Sequence, residues 1–210
     1  MKYTYNKNAF NKIETEEDAY WLGFLLADGY IAGGNKPFLQ LKLGEKDKKH
    51  LEKFIKYLGY TSTEVIKQTT GGAYTKDNIC FVIKISCKQI SDNLKKYGLS
   101  GAKSKIEIPY KLNDINLEKH YIRGIIDGDG WIRNTQSGFG VCGSYDTLSY
   151  IKEYINKNII NVENNNITKH GDIYKFELTS KTKTQIILKH FYENSTIYLD
   201  RKYNLYKNCY

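Results

Sequence analysis

Two aspartates end two similar apolar stretches of this sequence. Asp28 closes the stretch WLGFLLAD (21–28), Asp129 closes IRGIIDGD (122–129), and a glycine follows each acid. A carboxylate at the C-terminus of a helix is disfavoured by the helix dipole, so two acids in matched positions predict a compensating cation. Mg²⁺ prefers one or two carboxylates together with phosphate oxygens and water. Beside a phosphodiester, such a site would activate water for hydrolysis.

Small residues recur within both stretches at a helical spacing. Gly23 and Ala27 are four residues apart in the first stretch, and Gly124 and Gly128 are four apart in the second. This spacing places each pair on one helical face, where another backbone can approach closely. We therefore expect two packed helices. A capping box that begins at Thr15 predicts the start of the first one.

Charge and composition limit the classes of partner and of compartment. The net charge is +9 and the pI is about 9.1, with the basic residues scattered along the chain. This favours a nucleic-acid partner over a membrane, since no basic amphipathic helix stands out. The four cysteines form no close pair, which is typical of reduced thiols without zinc. We expect a soluble intracellular protein, in a bacterial or phage-infected cytoplasm or in an organelle matrix.

The periodicity of the chain predicts the same series of elements twice. Each half reads helix, two strands, helix, two strands, helix, which predicts an α+β fold duplicated about a pseudo-twofold axis. The predicted organisation is an N-terminal extension over residues 1–14, a first half over 15–112 and a second half over 113–210. The second motif-bearing segment, 117–127, is expected to be a helix, and residues 198–203 are expected to match the basic loop 101–105.

The predicted strands alternate between apolar and polar side chains. One polar face on each sheet would suit the major groove of DNA, which a β-ribbon can enter. A solvent-facing antiparallel sheet shows the same alternation, so both interpretations stay open at this point. The residues placed on the polar face are Gln40, Lys42, Lys84, Ser86, Arg133, Lys169, Lys175 and Thr179.

The two stretches resemble the paired motif of the LAGLIDADG homing endonucleases in their single-chain, two-motif form. Residues 21–29, WLGFLLADG, and 122–130, IRGIIDGDG, both fit the nine-letter pattern, and the order of elements extends the resemblance over residues 15–207. The resemblance implies tandem αββαββα halves, two saddle-shaped antiparallel sheets over the major groove, and two motif helices at a central interface. It implies a monomer that cuts both strands of a long, asymmetric double-stranded DNA target.

The resemblance also implies roles for particular residues. The last acid of each motif, Asp28 or Asp129, would bind Mg²⁺ or Mn²⁺ and drive hydrolysis of one strand. The carbonyls of Ala27 and Gly128 would be additional ligands. The family also uses a basic residue from each half, and the matching positions are Lys103 and Lys202, with Lys105 and Arg201 as the alternatives.

One departure and two other functions follow from the same comparison. Leu26 replaces the first acid of the motif, whereas Asp127 keeps it, and this position is structural in the family. An RNA maturase that assists intron splicing, with or without cleavage, is one alternative, with intron RNA as the partner. A catalytically silent DNA-binding regulator is the other. Both motif-ending acids are present, which favours the nuclease.

Overall fold

A computed structural model describes residues 4–60, 65–70, 78–99, 101 and 108–208. The polypeptide packs as two compact units. Met1–Lys12 and Asp28–Gly101 form the first, and Ile13–Ala27 and Ala102–Tyr210 form the second. Most of the first motif helix therefore packs with the second half of the sequence. The sequence boundaries near residues 14 and 112 stay a prediction.

The described elements of the first half follow the predicted order. The apolar helix comes first, two strand pairs enclose a second helix, and a third helix ends the half. The elements are α1 (Glu16–Asp28), β1 (Gly29–Ala32), β2 (Phe38–Gly44), a 3₁₀ turn (Glu45–Asp47), α2 (Lys48–Tyr57), β3 (Ile66–Thr70), β4 (Asn78–Ile85) and α3 (Lys88–Lys96).

The second half repeats this order and adds one helix. Its elements are α4 (Ile115–Asp129), β5 (Gly130–Ile132), β6 (Phe139–Gly143), α5 (Tyr145–Asn158), β7 (Ile167–His170), β8 (Ile173–Leu178), α6 (Lys181–Tyr192) and α7 (Asp200–Lys207). No helix in the described part of the chain is both long and apolar enough to cross a membrane.

Each unit contains one four-stranded antiparallel sheet, as the sequence predicts. The strand orders are β1-β2-β4-β3 and β5-β6-β8-β7, so both sheets have the same topology. In the first sheet Leu39 and Leu41 are buried and pair with Ile85 and Ile83, and α2 and α3 pack against β2. Alternating side chains point to opposite faces of a strand, so the residues between these leucines form a second, outer face.

The second sheet has an equivalent core. Phe139 and Val141 of β6 pair with Leu178 and Phe176 of β8, and all four are buried. Helix α5 packs against β6 and β8 and buries Leu148, Ile151 and Ile155, the positions that its apolar periodicity predicts. The helix covers one face of the sheet and leaves the other outward.

The N-terminal segment packs on the first unit. The Asn6 amide donates a hydrogen bond to the Leu58 carbonyl (2.8 Å), and the Asn93 side chain donates one to the Ala9 carbonyl (3.1 Å). Phe10 is buried at 1% exposure. The sequence predicts only a polar extension here, because a single buried aromatic within a polar segment has no periodicity to reveal it.

Two predicted elements are corrected by the structure. Helix α4 continues through Asp129 rather than ending at Asp127, and the Gly130 amide caps it by donating to the Ile126 carbonyl. The segment expected to be a basic loop contains helix α7 from Asp200 onward. Its sequence hides the helix because Lys202, a charged residue, is the buried member of α7.

Candidate functional site

Helices α1 and α4 pack with their backbones in contact at two glycines. A Cβ atom added to Gly23 would lie 1.9 Å from the Tyr121 carbonyl oxygen, and one on Gly124 would lie 2.1 Å from the Tyr20 carbonyl oxygen. Both distances are far below van der Waals contact, so only glycine fits at either position. The expectation that small residues bring two helices close together is confirmed at these positions.

The capping box at the start of α1 is also confirmed. The Asp18 amide donates to the Thr15 hydroxyl oxygen (3.1 Å), and the Thr15 amide donates to the Asp18 carboxylate (3.0 Å). These reciprocal bonds satisfy backbone donors that no turn of the helix can reach. They set the first residue of α1, and the helix then runs without interruption to Asp28.

Asp28 and Asp129 are the last residues of α1 and α4, as predicted, and both are half-buried. Burial raises the pKa of the Cys142 thiol, and the negative charge of Asp129 raises it further. Cys142 pairs with Lys175 on the outer face of the second sheet. The Asp129 carboxylate is therefore close enough to that face to influence Cys142.

Lys202 lies at the same helix end and is completely buried. Its ammonium donates hydrogen bonds to the carbonyls of Ile126 (2.6 Å), Asp127 (2.7 Å) and Gly130 (2.5 Å). A cation at a helix C-terminus is stabilised by the dipole that disfavours Asp129. Lys202 therefore fixes the backbone on both sides of Gly128 and Asp129.

The other predicted basic residues have different outcomes. Lys103 and its alternative Lys105 lie outside the described residues. Arg201, the alternative to Lys202, is exposed on α7. Proton transfer by any of these side chains stays a prediction, and the buried environment of Lys202 shows only that it holds a helix end.

Asp127, the first acid of the second motif, is buried and has structural partners. Its carboxylate accepts hydrogen bonds from the hydroxyls of Tyr20 (2.7 Å) and Tyr192 (2.5 Å) and from the Leu199 amide (2.8 Å). Burial and this negative charge raise the pKa of both tyrosines well above the usual value. Asp127 thus ties α1, α6 and the segment before α7 to α4.

Arg123 is a buried residue of the second motif that the sequence interpretation missed. Its guanidinium donates to the carbonyls of Ile197 (3.1 Å) and Phe191 (3.0 Å) and to the Glu16 carboxylate (2.6 Å). Burial raises the pKa of Glu16, but the Thr196 amide and Arg123 outweigh it and the net shift is downward. An arginine inside the otherwise apolar run 121–126 was the available signal, because such a charge requires buried partners.

The outer face of the first sheet carries the predicted polar residues. Gln40 pairs with Tyr30 on one side and with Lys84 on the other, and Lys42 follows two residues along β2. Lys42 and Lys84 are exposed, and Ser86 continues the alternation just beyond β4. The expectation of a shared face is confirmed for Gln40, Lys42 and Lys84, and it stays a prediction for Ser86, which follows the end of β4.

The outer face of the second sheet requires one correction. Arg133 and Lys175 share it, since both bind Glu177, and the face of Thr179, which follows the end of β8, stays a prediction. Lys169 instead pairs with Tyr174, which lies on the opposite face with Phe176. Thr168 pairs with Lys175 in its place. Pairing register fixes the face of every residue in a strand, and the β7–β8 turn sets that register in a way that alternation along β7 alone does not reveal.

The donors at the motif ends suit a hard divalent cation. The Asp129 carboxylate and the Gly128 carbonyl are oxygen donors at one helix end, and Ala27 and Asp28 offer the same pair at the end of α1. Within the described ranges, no three or more His, Cys, Asp or Glu side chains cluster. Mg²⁺ accepts a coordination shell with few protein oxygens that phosphate oxygens and water complete. These residues therefore fit Mg²⁺.

No protein-family model matches the sequence, and no curated protein matches it. Solved structures do match the fold. Full-length DUF199/WhiA from Thermatoga maritima has a TM-score of 0.58 at 14% identity, over 97% of this chain and 65% of that one. A structure of mesophilic variants of the homing endonuclease I-DmoI has a TM-score of 0.57 at 14% identity, over 97% of this chain and 99% of that one. The LAGLIDADG meganuclease I-AabMI bound to uncleaved DNA has a TM-score of 0.55 at 14% identity, over 90% of this chain and 88% of that one.

These similarities define the class of fold. The chain has the LAGLIDADG fold, with two four-stranded antiparallel sheets and the motif helices α1 and α4. The chain spans about two thirds of full-length WhiA, and the N-terminal LAGLIDADG domain of WhiA matches over 93% of both chains at a TM-score of 0.55. The resemblance in the two nine-residue motifs is therefore confirmed as a shared fold.

Proposed function

We propose that this protein is a site-specific homing endonuclease that makes a double-strand break in DNA with the help of a divalent metal ion. One observation carries the proposal. Each motif helix ends in an aspartate that leads directly into the first strand of a sheet, and the outer faces of both sheets carry cations. If DNA binds to the outer faces of the sheets, a phosphodiester group would lie close to these aspartates.

Asp28 with the Ala27 carbonyl, and Asp129 with the Gly128 carbonyl, would each hold a metal ion. Mg²⁺ or Mn²⁺, when bound, would lower the pKa of a water molecule and stabilise the charge that develops on phosphate oxygens. The packing of this chain would hold these ligands in place. The glycine contact of α1 with α4 and the Lys202 bonds hold the two helices and the end of α4 in fixed places.

Double-stranded DNA is the partner that the charges support. The net charge is +9, and Lys42, Lys84, Arg133 and Lys175 lie on outer sheet faces. The DNA-bound I-AabMI and I-WcaI structures share this fold. The outer faces of the two sheets differ in sequence, which fits an asymmetric target read by a monomer. Affinity should fall steeply with added salt, because phosphate contacts release counterions.

The test begins with selection of bound duplexes from a random double-stranded DNA library in the presence of a chelator. The selected duplexes are then cloned into a plasmid, and Mg²⁺ is added to the complex. We expect the plasmid to become linear with Mg²⁺ and to stay supercoiled with the chelator. A protein that selects a sequence but never cuts it would contradict the nuclease and favour the DNA-binding regulator. The maturase interpretation stays a prediction from the sequence.

A further inference from the structure

Two glycines on the second sheet provide flat sites for large side chains. Gly140 of β6 lies under Trp131, since a Cβ at Gly140 would be 2.1 Å from the indole ring. Gly138 lies under Arg133 in the same way, with its Cβ position 2.8 Å from Arg133 Nε. The Arg133 amide also donates to the Gly138 carbonyl (3.0 Å). Trp131 therefore lies against the backbone of β6, and Arg133 lies against the residue just before that strand.

Glu177 holds the same arginine from the other side. Its carboxylate is 2.8 Å from Arg133 and 2.5 Å from Lys175, and the Lys175 ammonium lies 5.4 Å from the centre of the Trp131 ring. The hydrogen bond from Lys175 contributes most to a lowered pKa of Glu177, so the carboxylate stays ionised. These contacts restrict the rotamers of a side chain that is half exposed (50%).

The first sheet lacks this arrangement. Across the second sheet, Trp131 pairs with Gly140, which pairs with Glu177. At the equivalent positions of the first sheet, Tyr30 pairs with Gln40, which pairs with Lys84. Ala32 is the fourth residue after Asp28, where Arg133 is the fourth residue after Asp129. A fixed arginine four residues after the motif acid is therefore particular to the second half.

We propose that Arg133, held by Gly138 and Glu177, reads one guanine in the major groove. The inference rests on the proposed DNA-binding function and names its specificity residue. A guanidinium has five N–H donors, and two of them reach O6 and N7 of guanine, which is the commonest specific contact in the major groove. Fixing the rotamer before binding lowers the entropic cost of this contact. Glu177 is the positioning residue.

The experiment compares the base preference of bound DNA, without any metal, so that it is independent of cleavage. Random double-stranded DNA is selected with the native chain and with Arg133→Lys, Gly138→Ala and Glu177→Gln. Lys169→Met is the matched control, because it removes a cation from the opposite face of the same sheet. Gly138→Ala keeps every charge and displaces the Arg133 side chain from Cγ to Nε.

The native chain should select one guanine with a preference of roughly 5- to 150-fold over the other bases. This preference should be lost in all three variants, while other positions and the Lys169→Met profile stay unchanged. If all three variants keep the guanine, the inference is wrong but DNA recognition stands. If the native chain selects no sequence at all, the proposed function fails together with it.

Discussion

The two motif helices share their geometry but differ in how they are held. Helix α1 is buried through an apolar run in which Leu26 occupies the first acidic position of the motif. Helix α4 buries Asp127 at that position and Arg123 on an earlier turn, and Lys202 caps its end. The glycine contact and the final aspartate are common to both. The proposed chemistry needs these two common features. The buried polar residues of α4, Arg123 and Asp127, instead bind the C-terminal segment to that helix.

The largest predicted effect tests whether Asp127 is equivalent to Leu26. Asp127→Leu copies the first helix into the second and leaves the Tyr20 and Tyr192 hydroxyls and the Leu199 amide without their buried acceptor. We expect a loss of about 3–5 kcal/mol in the free energy of unfolding. Urea unfolding followed by tryptophan fluorescence measures it, because both tryptophans, Trp21 and Trp131, belong to the second unit.

The matched control for this prediction is Leu26→Met in α1. A volume-conserving apolar exchange in the core should cost less than about 1.5 kcal/mol. If Asp127→Leu costs no more than this control, the buried carboxylate contributes nothing that the apolar helix lacks, and the contrast between the two helices is lost.

The next effect concerns the cap of α4. Lys202→Met keeps the length of the side chain but removes the donor to three carbonyls, so we expect a loss of about 2–4 kcal/mol in unfolding free energy. Arg201→Met, on the exposed face of the same helix, should change stability by less than about 0.5 kcal/mol. Equal urea midpoints for the two variants would show that the cap is not needed.

The shared glycine contact should respond in the same way from either helix. Gly23→Ala and Gly124→Ala each force a Cβ against a backbone carbonyl that cannot rotate away, at a cost of about 1–3 kcal/mol or more. Gly171→Ala, on the β7–β8 turn where no atom lies within 4 Å of the added Cβ, isolates the cost of its own positive φ (59°). Stability losses limited to one helix would break the equivalence of the pair.

The last prediction concerns the pH dependence of the second unit. Burial lowers the pKa of His120 and His190 to about 4, and the Arg123 charge also lowers that of His120. The unfolded histidines have a pKa of about 6.5, so the unfolded state binds more protons between these values. Stability should be complete above about pH 6.5 and should decline toward pH 4. His120→Gln should reduce that slope, as urea midpoints measured across this range would show.

The sequence predicted the parts of this fold that depend on local spacing. The capping box, the strand alternation and the small residues of α1 and α4 each have a short-range pattern, and all are found in the structure. The parts that failed depend on contacts distant in sequence. The predicted face of Lys169 was wrong because the register of β7 is set by its pairing with β8. Lys202 was expected in a loop because its carbonyl partners lie more than seventy residues away in the sequence.

The candidate site shows the same division. Asp28 and Asp129 were identified from a motif that carries its own spacing, and their places at helix ends are as predicted. Arg123 was missed because its partners, Glu16 and the carbonyls of Phe191 and Ile197, come from three separate segments. Charge and periodicity along one helix do not report such partners.

The most direct test of the proposed nuclease compares the native chain with Asp28→Asn and Asp129→Asn on the selected plasmid. The amides keep the size of the side chains and remove the negative charge that a metal ion requires. We predict that each single variant binds the selected duplex with native affinity and produces no double-strand break with Mg²⁺. Double-strand cleavage at the native rate by either variant would contradict the assignment of these two aspartates.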